Sequence, residues 1–299
     1  MTRFLYAAAW LLATPFIMLR LLARSRRQPG YRERLGERFG AYGDVEPARR
    51  IWIHAVSVGE TRAAAPIVRA LERLHPHHRI LLTHMTPTGH DAGAELFGAR
   101  VEQAWLPYDF RFAARRFLAR FRPEIGVLLE TEIWPRLLEE CNAAGVPVVL
   151  ANARLSERSA KRYARVPRFT QAALARLRGI AAQTQADANR FTALGANEVA
   201  VTGNVKFDMA VPAAMLDRGR ELRERFGRDR SVWVAGSTRD GEEALLLDAF
   251  ASVTDPHALL VLVPRHPERF EAVAALARSR GFAVARRSDE QPVASEVRV

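Results

Sequence analysis

The sequence is poor in cysteine and lysine, and each scarcity limits what the protein can be. One of its 299 residues is cysteine, so no intrachain disulfide can form, which fits folding in a reducing compartment. Apolar residues surround Cys141 at helical spacing, and this pattern predicts a packed, unreactive thiol. Lysine occurs only at Lys161 and Lys206, so each of these two cations is a candidate for a specific role.

Positive charge is nevertheless in excess, because arginine is abundant. Lysine and arginine together number 45 against 33 acidic residues, which gives a net charge of +12. This surplus favours an anionic partner such as nucleic acid, anionic lipid or a phosphorylated substrate. No RNP, zinc-finger or helix-turn-helix motif occurs, so we do not expect nucleic acid. The sequence also has no P-loop and no cluster with metal-ligand spacing, and no metal or other cofactor is predicted.

Residues 1–40 predict a membrane anchor followed by a basic segment. Phe4 to Leu19 is almost wholly apolar and lies at the short limit for a helix that spans a bilayer, with Pro15 as a kink. The arginines follow this run, whereas a cleaved signal peptide carries its charge before it, and a buried core helix would need no arginines. An anchor that spans the membrane or lies in its interface, with the arginines against anionic headgroups, fits best.

From residue 51 onward, short apolar runs alternate with helical stretches. The runs suit parallel strands buried between helices, and they occupy 51–56, 79–84, 101–106, 124–130, 146–152, 179–183 and 199–203. Residues 60–74 carry a helical apolar stripe. Residues 41–212 are therefore predicted to form a doubly wound, Rossmann-like α/β lobe.

After a break at 209–215 the same pattern starts again. Strands are predicted at 231–237, 258–264 and 282–287, helices at 240–250 and 268–279, and a further strand begins at 297–299. Residues 213–299 thus predict a second, partial α/β lobe. Ligands of such folds bind outside the carboxyl ends of the strands.

Four polar residues follow predicted strands of the first lobe. Glu60 lies in a first helical turn, either as a general base or as a carboxylate that complements the helix dipole. Glu130 and Glu132 are close enough to shift each other's proton affinity, unless one of them caps the helix predicted near Ile133. Lys206 could neutralise charge on a leaving phosphate, although a solvated surface lysine is the simpler interpretation.

In the second lobe, two strand ends could hold a phosphate. Arg265, which follows Pro264, can grip a phosphate through its guanidinium fork. Residues 235–243 form a small loop before a helix, with Ser237 or Thr238 predicted as its cap, and this loop could also hold a phosphate.

In this order, the segments resemble one family, the 3-deoxy-D-manno-octulosonic acid (Kdo) transferases. The resemblance runs through essentially the whole chain and rests on YRERLGERFG, SVGET, THMTPTG, LPYD, ETEIWP, NARLSERS, TGNVKFD and VPRHPERF behind an apolar N-terminus. It implies a two-lobed GT-B fold, CMP-Kdo as donor, a lipid A precursor as acceptor, and metal-independent inversion. It also implies attachment to the cytoplasmic side of the bacterial inner membrane, with an acceptor-binding first lobe and a CMP-sugar-binding second lobe.

The same resemblance implies roles for individual residues. Glu60 corresponds to the general base, Glu130 and Lys206 stabilise the transition state, and Pro264 and Arg265 contact CMP. The family's later glycine-rich segment and its GGHNPLE-like motif do not occur before Val299, so we expect an incomplete donor lobe and weak CMP-Kdo binding. The alternatives are an inactive relative that binds lipid A precursor at the membrane, and a GT-B enzyme that uses a UDP-sugar.

Overall fold

A computed structural model of the chain describes residues 2–209, 211–289 and 293–299. These residues form two compact units, the first ending at Met209 and the second containing the described residues after it. Both units are built from parallel strands and helices, as the alternating pattern predicted.

The first unit contains a seven-stranded, wholly parallel sheet. Its strands are β1 (Arg50–His54), β2 (Arg79–His84), β3 (Val101–Trp105), β4 (Pro123–Leu129), β5 (Val148–Ala153), β6 (Gly179–Ala182) and β7 (Val199–Val201). Their spatial order is β3-β2-β1-β4-β5-β6-β7. Strands β2 and β3 are thus added on one side of β1 and strands β4 to β7 on the other side, so the strand order reverses between β1 and β4. In open α/β sheets, such a switch point is where a crevice for ligands forms at the carboxyl ends of the strands.

Helices cover both faces of this sheet, which explains why its strands are mainly apolar. They are α2 (Val58–Leu74), α3 (Pro87–Phe97), α4 (Arg111–Phe121), α5 (Pro135–Ala143), α6 (Glu157–Tyr163), α7 (Pro167–Leu174) and α8 (Gln185–Ala193). Two buried clusters result, one around Trp52 and Phe117 and the other around Ile53 and Val68. Adjacent residues of β1 thus supply opposite faces of the core. Cys141 is buried in the first cluster, and burial raises the pKa of its thiol to about 12, so the predicted packed thiol is confirmed.

A close approach between β1 and β4 depends on a glycine. Gly126 is paired with Trp52, and a Cβ at Gly126 would lie 2.7 Å from Cε3 of the indole. The indole cannot easily move, because it is fully buried and its Nε1 donates to Thr83 Oγ1 at 2.7 Å. We expect Gly126→Ala to lower the free energy of unfolding by about 2 kcal/mol through overpacking. Urea denaturation measures this, with Gly43→Ala as control because open space surrounds Gly43; equal effects of both substitutions would contradict the prediction.

An N-terminal helix, α1 (Thr2–Ser25), precedes the sheet. Its residues Phe4–Ser25 are long and apolar enough to cross a membrane, judged by length and composition alone. One face contacts the first unit, where Trp10 and Leu21 join a cluster with Tyr31 and Tyr108. The opposite face is exposed and carries Phe4, Leu5, Leu11, Leu12, Phe16 and Leu19.

The second unit contains a two-stranded parallel sheet. Its elements are α9 (Ala213–Phe226), β8 (Val232–Thr238), α10 (Glu242–Ala251), β9 (Leu259–Pro264) and α11 (Phe270–Ser279). The prediction of strands at 282–287 and 297–299 was wrong. The two segments form only isolated backbone hydrogen bonds. Ala285 N–H donates to Val299 O at 3.0 Å, and Leu260 N–H of β9 donates to Arg298 O at 2.8 Å. The apolar side chains that suggested a strand, Phe282 and Val284, instead pack on the core of this unit.

Candidate functional site

The three residues predicted to be catalytic meet at one edge of the first unit's sheet. Glu60 lies in the first turn of α2, directly after β1, and Glu130 directly follows β4. These positions flank the switch point. Lys206 lies in a 3-10 turn, Val205–Asp208, which follows β7 and contacts α2. The parallel topology therefore brings Glu130 and Lys206 close to Glu60, although they lie 70 and 146 positions after it in the sequence.

Glu60 is half-buried and is held by its own loop. Its Oε2 accepts from the backbone N–H of Val56 at 2.8 Å, and its Oε1 accepts from Ser57 Oγ at 3.0 Å. Burial raises the pKa of Glu60, the charge of Glu130 raises it further, and Lys206 opposes this change. The carboxylate thus stabilises the start of α2, as the simpler interpretation of the sequence holds, and it is also made more basic than an exposed glutamate.

Glu130 has an unusual backbone conformation and pairs with Lys206. Its φ is +57°, in the left-handed region that few residues other than glycine adopt. Backbone bonds hold it there, with its N–H donating to Ala151 O at 3.1 Å and its own carbonyl accepting from Arg154 N–H at 3.3 Å. Oε1 then lies 3.3 Å from Lys206 Nζ, and the lysine side chain is 46% exposed, so its ammonium is open to a ligand.

Glu132 completes a group of three carboxylates. Its Oε2 accepts from Trp134 Nε1 at 2.8 Å and lies 3.9 Å from Nε2 of the fully buried His54. Burial, followed by the charges of Glu60 and Glu130, raises the pKa of Glu132 to about 7. Burial lowers the pKa of His54 to about 3, so its imidazole is neutral and offers no positive charge to Glu132. His54 itself was not singled out by the sequence, where it was one polar residue at the end of an apolar run.

Neither Glu130 nor Glu132 caps the following helix, and that alternative was wrong. Helix α5 begins at Pro135, and the carboxylate of Asp109 accepts from the backbone N–H groups of Arg136 at 3.0 Å and Leu137 at 2.7 Å. Asp109 follows β3, far away in sequence, so local spacing could not identify it. Both glutamates therefore remain free to face the carboxyl edge of the sheet.

The raised pKa of Glu132 predicts a pH-dependent stability. Between the ordinary pKa of 4.5 and about 7, the folded protein keeps a proton that the unfolded chain has lost, so the wild-type free energy of unfolding falls as pH rises. Glutamine has no such proton. We expect Glu132→Gln to be more stable than wild type by about 3 kcal/mol at about pH 8 and equal to it near pH 4. Urea denaturation across this range measures the difference, and a gap that does not change with pH would contradict the prediction.

Amide side chains hold the turn that carries Lys206. Asn152 Oδ1 accepts from Val205 N–H at 3.2 Å, and its carbonyl accepts from Gln183 Nε2 at 2.9 Å. Gln183 Oε1 in turn accepts from Asn204 Nδ2 at 3.2 Å, while Asn204 Oδ1 accepts from Lys206 N–H at 3.0 Å. Asn152 is next to last in β5, whereas Gln183 and Asn204 follow β6 and β7, and the sequence reasoning found none of the three.

The residues predicted to bind a donor lie together in the second unit. Ser237, with a φ of +59°, is next to last in β8, and Pro264 ends the neighbouring β9. Arg265 is exposed and its N–H donates to Thr238 O at 2.9 Å, which keeps the two strand ends adjacent. The predicted helix cap at Ser237 or Thr238 was wrong, because three more residues turn before α10 and its N-cap is Gly241.

Comparison with known proteins identifies similar sequences along nearly the whole chain. Residues 33–209 match the family described as 3-Deoxy-D-manno-octulosonic-acid transferase (kdotransferase). The chain is 43% identical over 303 residues to the 3-deoxy-D-manno-octulosonic acid transferase of Bordetella pertussis, covering 96% of this chain and 70% of that protein. It is 38% identical over 297 residues to the protein of the same description from Haemophilus influenzae, covering 97% and 70%.

Solved structures support the architecture. UDP-GlcNAc 2-epimerase from Neisseria meningitidis superimposes with a TM-score of 0.56 at 13% identity, covering 77% of this chain and 69% of that one. At this identity the likeness shows the fold alone. The α/β class and the two-lobed GT-B architecture predicted from the sequence are confirmed.

Proposed function

Because this chain belongs to the Kdo transferase family, and is therefore a glycosyltransferase of lipopolysaccharide biosynthesis, we propose that it transfers Kdo from CMP-Kdo to a lipid A precursor. The observation that carries the proposal is the convergence of Glu60, Glu130 and Lys206 at the switch point of the first unit's sheet. Sugar transfer to a hydroxyl is served by a base that takes the proton and a cation that offsets the charge of the leaving group, and the second carboxylate contacts that cation.

Glu60 is the proposed general base. An acceptor hydroxyl attacks the anomeric carbon of Kdo, its proton passes to the Glu60 carboxylate, and the bond from that carbon to the CMP phosphate breaks. Attack from the face opposite the departing phosphate inverts the anomeric carbon. A base works best when its pKa approaches the working pH, and both burial and Glu130 move the pKa of Glu60 in that direction.

Lys206 and Glu130 are proposed to stabilise the transition state together. Negative charge grows on the phosphate oxygen as CMP leaves, and the exposed ammonium of Lys206 offsets this charge in place of a metal ion. Glu130 orients the ammonium through the 3.3 Å contact, and the network of Asn152, Gln183 and Asn204 fixes the turn below it. In the second unit, the strand ends at Ser237 and Pro264–Arg265 are proposed to bind the donor, with Arg265 facing phosphate.

The acceptor is lipid-linked, and the proposed location is the cytoplasmic side of the inner membrane. The exposed apolar face of α1 and the arginines after it support attachment to an anionic membrane surface. We propose residues 1–40 as the attachment segment, 41–212 as the acceptor-binding domain and 213–299 as a part of the CMP-sugar-binding domain.

The test is a transfer assay with the purified 299-residue chain beside a version extended by the C-terminal residues of the Bordetella pertussis relative, of which this chain matches 70%. CMP-Kdo is generated in situ, a tetra-acylated lipid A precursor is supplied in detergent, and the product is identified by mass. We expect the extended version to add the mass of one or more Kdo residues and the 299-residue chain to do so slowly or not at all, with inhibition by free CMP but not by UDP. Transfer from a UDP-sugar by either protein, or no transfer from CMP-Kdo by a well-folded extended version, would overturn the proposal.

A further inference from the structure

The inner face of α1 reaches the segment that carries the acidic residues of the site. Tyr6 Oη donates to Asp109 Oδ2 at 2.7 Å. Asp109 is 3% exposed, and its carboxylate accepts the backbone N–H groups of Arg136 and Leu137 at the start of α5. Tyr6 therefore holds the group that fixes the first turn of α5.

A second contact leads from α1 to the same segment. The Trp10 ring lies against the Trp134 ring, with centroids 6.1 Å apart and planes inclined by 31°, and it also contacts Phe110 at 5.8 Å. Trp134 directly precedes α5 and donates its indole N–H to Glu132 at 2.8 Å. The two contacts thus converge on residues 130–137 from one helix face.

These contacts do not follow from attachment to a membrane. A helix that only tethers the chain needs its outward residues, such as Leu12 and Phe16, which are 72% and 74% exposed. A tether does not need the Tyr6 hydroxyl bonded to the buried Asp109. It also does not need the Trp10 ring packed against Trp134, the residue that donates to Glu132. Because residues 130–134 have little regular structure of their own, contacts from outside must fix their conformation.

We propose that Tyr6 and Trp10 are positioning residues, through which α1 holds the segment 130–137 and so sets the placement of Glu130 and Glu132. Tyr6 acts through Asp109 on the start of α5, and Trp10 acts through Trp134 on Glu132. The catalytic part of this inference rests on the proposed function, whereas the mechanical part concerns the local stability of the segment alone.

The mechanical part is tested by hydrogen exchange of the full chain in detergent micelles. Tyr6→Phe removes one hydroxyl and keeps the ring, so the fold should persist. We expect the amides of Arg136 and Leu137 to exchange about 10-fold faster, because the hydrogen bond that holds the buried Asp109 carboxyl group is lost. Trp10→Ala should speed exchange across 130–134 by a similar factor, and Trp10→Phe should restore most of the protection.

Two controls separate this effect from a general loss of stability. Leu12→Ala and Phe16→Ala alter the outward face and should leave exchange at 130–137 unchanged. The amides of β2, an interior strand of the sheet, should exchange at wild-type rates in every variant. If Tyr6→Phe leaves Arg136 and Leu137 as protected as in wild type, the proposal is overturned, whatever happens to Trp10→Ala.

The catalytic part is tested by kinetics in the same micelles. A displaced 130–132 segment should lower kcat about 10-fold in Tyr6→Phe while the KM for the donor stays within a factor of two of wild type. An unchanged kcat together with faster exchange would refute the catalytic role. Because exchange is measured without turnover, a chain that transfers no Kdo still gives a clear answer on the positioning contacts.

Discussion

Replacing Glu60 with glutamine is expected to lower kcat about 1,000-fold, the largest effect of any single substitution in this chain. Glutamine is the same size, its amide oxygen can still accept from Val56 N–H, and its NH2 group can donate to Ser57 Oγ, so the start of α2 should remain intact. What it lacks is the ability to take a proton. The acceptor hydroxyl would then have to lose its proton to water while it attacks the sugar.

The measurement is initial-rate Kdo transfer at saturating acceptor. Glu72→Gln is a matched control, because Glu72 lies on the same helix, far from the carboxyl edge of the sheet, and pairs with Arg100 at 3.0 Å. It should keep wild-type turnover. If Glu60→Gln retains more than about a tenth of the wild-type kcat, Glu60 is a helix-capping carboxylate only, and the base must be sought elsewhere.

Replacing Lys206 with methionine is expected to lower kcat about 100-fold, the second largest effect. Methionine keeps an unbranched apolar chain but removes the ammonium that faces the leaving phosphate. Glu130 would also lose the partner at 3.3 Å that orients it. The fall should appear in kcat more than in acceptor KM, since charge on the phosphate develops only as CMP departs.

The second lysine of the chain provides the control for this substitution. Lys161 is 73% exposed and pairs with Glu157 one helical turn away, so Lys161→Met removes the same charge from a solvated helix face. It should leave turnover unchanged, because an exposed pair of this kind contributes little. Equal losses in the two variants would mean that net charge, rather than the position of Lys206, matters.

Much of the fold could be predicted because buried parallel strands appear in a sequence as short, nearly continuous apolar runs. Residues 79–84 form β2 at the predicted bounds, and the other strands of the first unit shift by at most two residues at their starts. Burial on both faces demands continuous apolar runs, and these runs are hard to mistake. Where burial is partial, as at 282–287, apolar residues packed without forming a strand, and the prediction failed.

The site could be predicted only where a residue lies at the end of its strand. Glu60, Glu130 and Lys206 each follow one, so topology alone brings them to the same edge. Asp109, His54 and Asn152 act through partners distant in sequence, and no local pattern marks them. The pairing of Tyr6 with Asp109 spans 103 positions and depends on how α1 packs, which hydrophobic periodicity does not specify.

The left-handed backbone at Glu130 means that the residue best for stability differs from the residue needed for the chemistry. For a residue with a Cβ, this conformation costs about 1 kcal/mol, whereas glycine adopts it freely and asparagine with less strain, as Asn152 does at a φ of +51° nearby. Mutational drift governed by folding alone would replace Glu130 with glycine and gain stability. A chain that keeps glutamate there trades thermal robustness for a carboxylate beside Lys206. Screens that select only for a higher melting temperature should therefore enrich substitutions at position 130 that weaken the enzyme.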